Sequence, residues 1–322
     1  MSGPAETLVP SELDGERTDR VVAALFELTR SEARRLVESG EVTVEGRVAV
    51  AAERLAVGMR VAARLPEAPS HLVSQPVPFD VVWEDPDVLV VSKPAGIVVH
   101  PGAGVAKPTL VAGLVERYPE LAGLADHRWG LVHRLDRDTS GVLLVARTAT
   151  ARERLQGELR RRRITRTYAA LVAGTPAAVR GTVDAPIGRD PRSPTRMAVI
   201  GEGRPARTHY RRLAAWRDAA LLEVTLETGR THQIRVHLAS IGLPVVGDRT
   251  YGPRGRRHRA DPGRQWLHAL RLEAAHPTSL GVRIVAEAPP PGELTAAIAS
   301  LGPPDVGELP EWLARTSPPQ PS

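Results

Sequence analysis

The densest run of chemically capable side chains in the sequence is His133-Arg134-Leu135-Asp136-Arg137-Asp138-Thr139-Ser140-Gly141, which directly precedes the apolar stretch 142–147. Polar groups on a loop that feeds a strand are well placed for reaction, because the strand anchors one end of the loop. Arginines on either side of Asp136 favour its charged form. An ionised carboxylate can act as nucleophile, base or metal ligand. The same residues also suit an ion-paired turn, since structural charge networks cluster in the same way. A second run, Thr228-Gly229-Arg230-Thr231-His232-Gln233-Ile234-Arg235-Val236-His237, spans a strand end, a glycine turn and a helix start. Unsatisfied N–H groups at a helix start attract an anion, and the arginines add charge. Arg235, one step round from Ile234, points either along the domain interior towards a cleft or into solvent. His232 and His237 are five apart, a poor match to the i, i+4 spacing of a helical zinc pair, so no metal is expected. A third run, Arg160 to Arg163 followed by Arg166 and Tyr168, suits phosphate contacts, or a solvated helix end where the dipole favours cations. Tyr168 stands out because only 3% of the chain is aromatic. Lys93-Pro94-Ala95-Gly96, leading to His100-Pro101-Gly102, reads first as a rigid turn. Residues 102–109 share the glycine content of a phosphate loop but lack its Gly-Lys-Ser/Thr end.

The elements that must position these groups are legible in outline. Residues 1–13 are polar, contain proline and glycine, and are expected to form a loose tail. From 14 to 65 a small module follows, beginning with a helix that carries Val21, Val22, Leu25 and Leu28 at helical spacing. Thr29-x-x-Glu32 has the form of a capping box for a second helix, which Gly40 stops. Val42 and Val44, a turn at Glu45-Gly46, then Val48 and Val50 read as a hairpin. Gly58 turns the chain once more into 61–65. The proline-rich stretch 66–78 reads as a linker. A large domain covers 79–300, with strands expected at 88–92, 142–147, 168–174 and 221–227. Helices are expected from Thr150, capped by Thr150-x-x-Glu153, to about Arg162, and over Thr231–Ile241 with Gly242 past its end. Strands outnumber helices, so the expected class is α+β, with a mixed, largely antiparallel sheet. Residues 301–322 are expected to be a second tail.

Composition bounds the chemistry. The chain has 322 residues, 42% of them apolar, which suits two domains with true cores. Net charge is +6 and the pI is about 10.3. Such a surface favours a polyanion, nucleic acid before membrane. Lys93 and Lys107 are the only lysines, so the arginine excess also fits a GC-rich coding habit. The absence of cysteine excludes disulfides, thiolate metal sites and a cysteine nucleophile. With neither a signal-peptide pattern nor an apolar run of membrane-spanning length, the cytoplasm is the expected compartment.

The segment 133–146 closely resembles the catalytic motif of the RluA-type RNA pseudouridine synthases. Three further segments are similar to motifs of that family in the same order: 88–102, 166–174 with Tyr168, and 228–252 with Arg235. Residues 266–277 are similar to a segment that follows. The resemblance covers about 79–288, and residues 14–65 resemble an S4 RNA-binding domain, with Arg17-Thr18-Asp19 where Arg-Leu-Asp is usual and Val44-Glu45-Gly46 where Val-Asn-Gly is common. It implies isomerisation of uridine to pseudouridine in structured RNA without a cofactor, by a monomer. Large-subunit ribosomal RNA is the expected substrate, with transfer RNA as the alternative. Asp136 matches the catalytic aspartate, and Arg134 an arginine that fills the space left by the flipped base. Tyr168 matches the tyrosine that packs on that base, Arg235 the arginine paired with the aspartate, and Val245 an apolar pocket position. His133, Thr139, Arg230, His232, Gln233, Lys93, Arg163 and Arg166 join them as candidate RNA contacts. Two other classes compete. A uracil methyltransferase would need a donor site and typically a cysteine; a catalytically silent S4-type RNA-binding protein would not need Asp136, Tyr168 and Arg235 together.

Overall fold

A computed structural model describes residues 5–26, 28, 30–64, 75–100, 108–124, 128–253, 255 and 257–315. The chain divides into two units, Met1–Leu72 and Val73–Ser322. The first contains β1 (Ala5–Leu8), β2 (Glu16–Arg17), α1 (Thr18–Leu25), α2 (Arg30–Glu38), β3 (Val42–Val44), β4 (Arg47–Val48), β5 (Arg54–Leu55) and β6 (Arg60–Ala63). Its sheet runs β1-β6-β3-β4, and β2 pairs with β5. Val21 and Val22 from α1 pack with Val42, Val44, Leu55 and Val61, as their spacing predicts. Thr18 stands where an apolar residue is usual and is fully buried; its hydroxyl is satisfied by donating to Glu53 O at 3.1 Å. Arg17 forks onto the Asp19 carboxylate at 3.1 and 3.2 Å.

One expectation about this unit changes. Residues 5–13 are not a tail: β1 pairs with β6 from Ala5↔Ala63 to Leu8↔Arg60, and Val9 is 1% exposed. The strand has only four residues, two of them polar, so only its partner reveals it. The hairpin read at 42–50 forms, with β3 antiparallel to β4; Val48 and Val50 are exposed, and the buried member of that segment is Ala49. Thr29, the cap of the expected box with Glu32, lies outside the described residues.

The second unit contains β7 (Asp80–Glu84), β8 (Val88–Lys93), α3 (Leu110–Arg117), β9 (Ser140–Ala146), α4 (Ala149–Arg160), β10 (Thr165–Ala173), β11 (Arg180–Asp184), β12 (Ile187–Asp190), β13 (Ser193–Val199), β14 (Arg207–Trp216), β15 (Ala219–Leu226), α5 (Gln233–Ser240), β16 (Leu267–Ala275), β17 (Arg283–Glu287), α6 (Gly292–Ala299) and β18 (Val306–Gly307). Ten strands form one sheet in the order β11-β14-β15-β10-β16-β9-β8-β7, with β17 on β16 and β18 on β14. All its pairings are antiparallel except β9 with β16, so the class is the expected α+β with a mixed, largely antiparallel sheet. The central strands read as unbroken apolar runs because they are covered on both faces; every residue of β9 is buried. At the parallel junction Gly141 has φ +114°, and a Cβ there would sit 2.1 Å from Ala269 O. Only glycine lets the two strands approach so closely.

Helix α4 is capped by Thr148, whose Oγ1 accepts from Ala151 N at 3.1 Å, and not by Thr150. Strand β9 ends at Ala146, so the chain turns into the helix at once. Helix α5 begins two residues later than expected because His232 is left-handed, with φ 57°. The expected second tail is also built into the unit over its described part, 301–315. Leu301 is buried in a cluster with Trp216 and Trp266, Trp312 and Leu313 pack against it, and Asp305 N donates to Ala215 O at 2.8 Å. Prolines around these apolar residues shape a covering strap there.

Candidate active site

The loop 133–139 enters β9 at the parallel junction and is fastened from several directions. Lys93 Nζ donates to Arg137 O at 2.9 Å, and also to Pro94 O and Ile97 O at 2.7 and 3.0 Å. Gly96 N reaches the same Arg137 carbonyl at 2.9 Å. Arg264 donates to Asp138 O at 2.9 Å and to Ser140 Oγ at 3.0 Å, and Gln265 Nε2 donates to Thr139 Oγ1 at 3.0 Å. Arg137 closes on Asp138 through two bonds of 2.9 and 2.8 Å. With its neighbours tied back, Asp136 is presented to a cavity of about 440 Å³ that His232, Arg235, Arg249, Thr250 and Arg264 also line.

Arg235 projects from the first turn of α5 and is 5% exposed. Its Nη1 donates to Asp136 Oδ2 at 2.9 Å. Its other edge is gripped by Asp248, Nε to Oδ2 at 2.6 Å and Nη2 to Oδ1 at 2.9 Å. Asp248 is itself held by the Thr250 and Tyr251 backbone N–H groups at 2.8 and 3.1 Å. The Tyr251 ring lies 5.0 Å from the Arg235 guanidinium carbon. Burial lowers the Arg235 pKa, but Asp248 and then Asp136 more than offset it, and the net shift is upward. Burial likewise acts to raise Asp248, and Arg235 reverses it, holding the carboxylate below its ordinary value. Among the described residues no hydrogen bond reaches Asp136 Oδ1, which leaves one carboxylate oxygen available beside the cavity.

Tyr168 is 5% exposed on β10, near enough for the Asp136 charge to help burial raise its phenol, while Arg166 opposes. Arg166, two residues earlier on the same face of the strand, is 6% exposed. Its Nη2 makes a long 3.5 Å contact with Leu226 O, and its Nε has no partner among the described residues. Burial lowers its pKa. His133 Nε2 accepts the Leu144 N–H at 3.2 Å, and its Nδ1 has no partner among the described residues. Burial, then the Arg166 charge, pushes the imidazole down to about 3. Arg134 and Arg163 are exposed, and Arg230 Nε donates to Pro205 O at 3.1 Å.

Several candidate contacts take structural duties instead. Lys93 is fully buried. Burial pulls its pKa down to about 7, yet three carbonyls match the three protons of the charged form. Thr139 is 2% exposed and backs the loop. Gln233, 3% exposed, uses both ends of its amide: Oε1 accepts from Thr228 Oγ1 and Arg230 N at 2.8 and 3.0 Å, and Nε2 donates to Arg207 O and Thr208 Oγ1 at 3.0 Å each. Val245 is 1% exposed, bridges to Val172 and does not line the cavity. Conversely, Asp248 and Tyr251 are central to the site and were not singled out from sequence, although both lie in the 228–252 segment.

Fold and site place a loop-borne carboxylate, clamped to a buried guanidinium, beside a cavity. The model of the RNA pseudouridylate synthase family matches residues 87–240, and that of the S4 domain matches 16–61. An uncharacterized RNA pseudouridine synthase of Chloroflexus aurantiacus is 48% identical over 274 residues, covering 84% of this chain and 86% of its own. The ribosomal large subunit pseudouridine synthase D of Xanthomonas campestris pv. campestris is 44% identical over 308 residues, 92% of each chain. The solved structure of human RNA pseudouridylate synthase domain containing 1 aligns with a TM-score of 0.57 at 29% identity, over 76% of this chain and 97% of that one. The chain belongs to the RNA pseudouridine synthase family, carries an S4 domain, and is an RNA pseudouridine synthase.

Proposed function

We propose that this enzyme isomerises a uridine of large-subunit ribosomal RNA, applying Asp136 to a nucleotide drawn out of its helix. The observation that carries the reading is the Asp248–Arg235–Asp136 chain of ion pairs, which ends on a cavity with one Asp136 oxygen free. In the reaction the N1–C1′ bond breaks and a C5–C1′ bond forms. The proton on C5 leaves and N1 gains one, so no oxidant or group donor is required. Extruding the base costs a few kcal/mol. Arg134, exposed beside Asp136, suits the vacated stack, where a flat guanidinium can replace a base. Tyr168 suits packing on the flipped base, worth about 1–3 kcal/mol. Arg166, two residues before Tyr168, and His133 each carry a buried side-chain nitrogen with no partner among the described residues, which supports reading them as substrate contacts. Arg163 and Arg230 add sequence-independent attraction to phosphate. The ribosomal target is supported by the S4 domain and by the end-to-end similarity to the Xanthomonas synthase.

RNA carrying tritium at uridine C5 tests the chemistry: release by the wild type and none by Asp136→Ala is expected, and undiminished release by the variant overturns the role of Asp136. Mapping pseudouridine in cells lacking the protein tests the target. Loss at one or more positions of the large-subunit RNA is expected; a full ribosomal set with loss in transfer RNA overturns it.

A further inference from the structure

Tyr251 joins three parts of the large unit. Its ring meets Arg235, as above, and Arg196 from β13 at 5.3 Å. Its hydroxyl oxygen accepts the Met197 backbone N–H at 3.0 Å and lies 2.8 Å from His232 Nδ1. A phenol has one proton to give. With Met197 N–H already donating to the oxygen, that proton has one acceptor among the described residues, His232 Nδ1. Were the imidazole to donate from Nδ1 instead, the oxygen would receive two donors and its own proton would have no partner in a half-buried setting. Donation to Nδ1 places the hydrogen of the neutral ring on Nε2.

Nε2 meets no hydrogen-bond partner among the described residues, and His232 lines the cavity with Asp136 and Arg235. The ring is also held in place. Its backbone is left-handed, a strained state for a non-glycine residue that clusters at working sites. Its plane stands edge-on to Tyr251, 75° apart with centroids at 5.6 Å. Burial disfavours its protonation, while Asp136 opposes that effect.

We propose that Tyr251 is a positioning residue that holds His232 as a neutral Nε2–H donor to an uncharged oxygen of the target nucleotide, either a uracil carbonyl or a ribose hydroxyl. His232 therefore accepts no proton during the reaction, and the proton leaving C5 goes elsewhere. The inference rests on the functional reading above, but its first test does not need activity. Nitrogen-15 NMR of the histidine-labelled full-length protein should show His232 protonated at Nε2 alone, and mixed tautomers in Tyr251→Phe. A wild-type ring protonated at Nδ1 overturns the proposal.

The second test is single-turnover kinetics on RNA. In His232→Gln the amide N–H reaches towards the Nε2 position, so the chemical step should be faster than in variants that lack this donor. His232→Asn tolerates the left-handed backbone but carries its amide too close to the chain; it and His232→Leu should lose about tenfold in the chemical step, with RNA affinity little changed. Tyr251→Phe should lose a similar factor. Equal rates for the Gln and Leu variants overturn the donor role. Placing 2′-deoxyuridine at the target abolishes the Gln–Leu difference if the acceptor is the ribose hydroxyl and preserves it if the acceptor is the uracil carbonyl. A wild type inactive on every uridine-containing RNA would fault the functional reading instead, while the tautomer would still decide the relay.

Discussion

Two arginines of the large unit are buried alike and partnered in opposite ways. Arg235, 5% exposed, meets two carboxylates; Arg166, 6% exposed, meets none among the described residues. A cation in a low-dielectric setting is costly unless paired and hydrogen-bonded. Arg235 satisfies that condition within the protein, and its charge is committed to holding Asp136. Arg166 does not. Gly229 even makes room for it, since a Cβ there would lie 3.0 Å from Nη1. The pKa shifts run in opposite directions for this reason. The first arginine is a finished piece of scaffold. The second keeps hydrogen-bonding capacity that no partner among the described residues uses, which is why it is proposed as a substrate contact.

The largest effect should come where the finished network meets the substrate. Asp136→Asn still accepts from Arg235 but loses its charge, so tritium release should fall at least about a thousandfold. Thermal unfolding should barely move. Activity within tenfold of wild type would mean that the ion-pair chain ends on the wrong residue. Next comes Asp248→Ala, which leaves the buried edge of Arg235 without its carboxylate. Removing one partner of such a pair costs about 3–5 kcal/mol, and activity should fall with it because Asp136 loses its fixed support. Denaturant unfolding and tritium release measure the two losses together.

The comparison itself is broken or sharpened by treating both arginines identically. Arg235→Met should destabilise by about 3–5 kcal/mol, because it strands Asp248. Arg166→Met removes an unpaired charge and substitutes an apolar chain, so stability should hold or rise, while KM for RNA increases about tenfold. Equal destabilisation by the two substitutions would show that Arg166 is structural.

What the sequence disclosed follows the same division. Asp136, Arg235 and the central strands were legible because each is marked locally, by a short motif or by an unbroken apolar run. Lys93, Thr139 and Gln233 were recognisable as polar residues beside the motifs, but each has a partner far along the chain, Arg137 O for Lys93, Gln265 for Thr139 and Arg207 O for Gln233, and no local pattern distinguishes a hydrogen bond to the protein from one to RNA. Asp248 lies thirteen residues beyond Arg235, a separation with no helical or strand rule behind it, and only the returning loop brings the two together. The strap at 301–315 was misjudged because its prolines outweigh Leu301, Trp312 and Leu313 in composition, whereas burial depends on where those three side chains land.

The smallest effect concerns acid stability. His133 and His268 are held neutral in the folded state, at about 3 and about 4 respectively. For His268, burial is the main cause, and the ring is used on both sides, with Ser140 Oγ at Nδ1 and Ala288 O at Nε2, both 2.9 Å. Unfolded, each ring takes a proton near its ordinary value of about 6.5. Below that pH the unfolded state binds more protons than the folded one, so stability falls as pH drops from about 6.5 towards 4 and is fully present above 6.5. Each histidine adds a slope of up to one proton. Burial is the larger cause of the His133 shift, but the Arg166 charge contributes to it, so Arg166→Met should let His133 protonate at higher pH and flatten the fall first at its acid end. Melting temperature measured from pH 7 to pH 4 in the two proteins tests this. A parallel pair of curves would mean that the Arg166 charge is not felt at His133, and would remove the electrostatic link between the unpartnered arginine and the loop that carries Asp136.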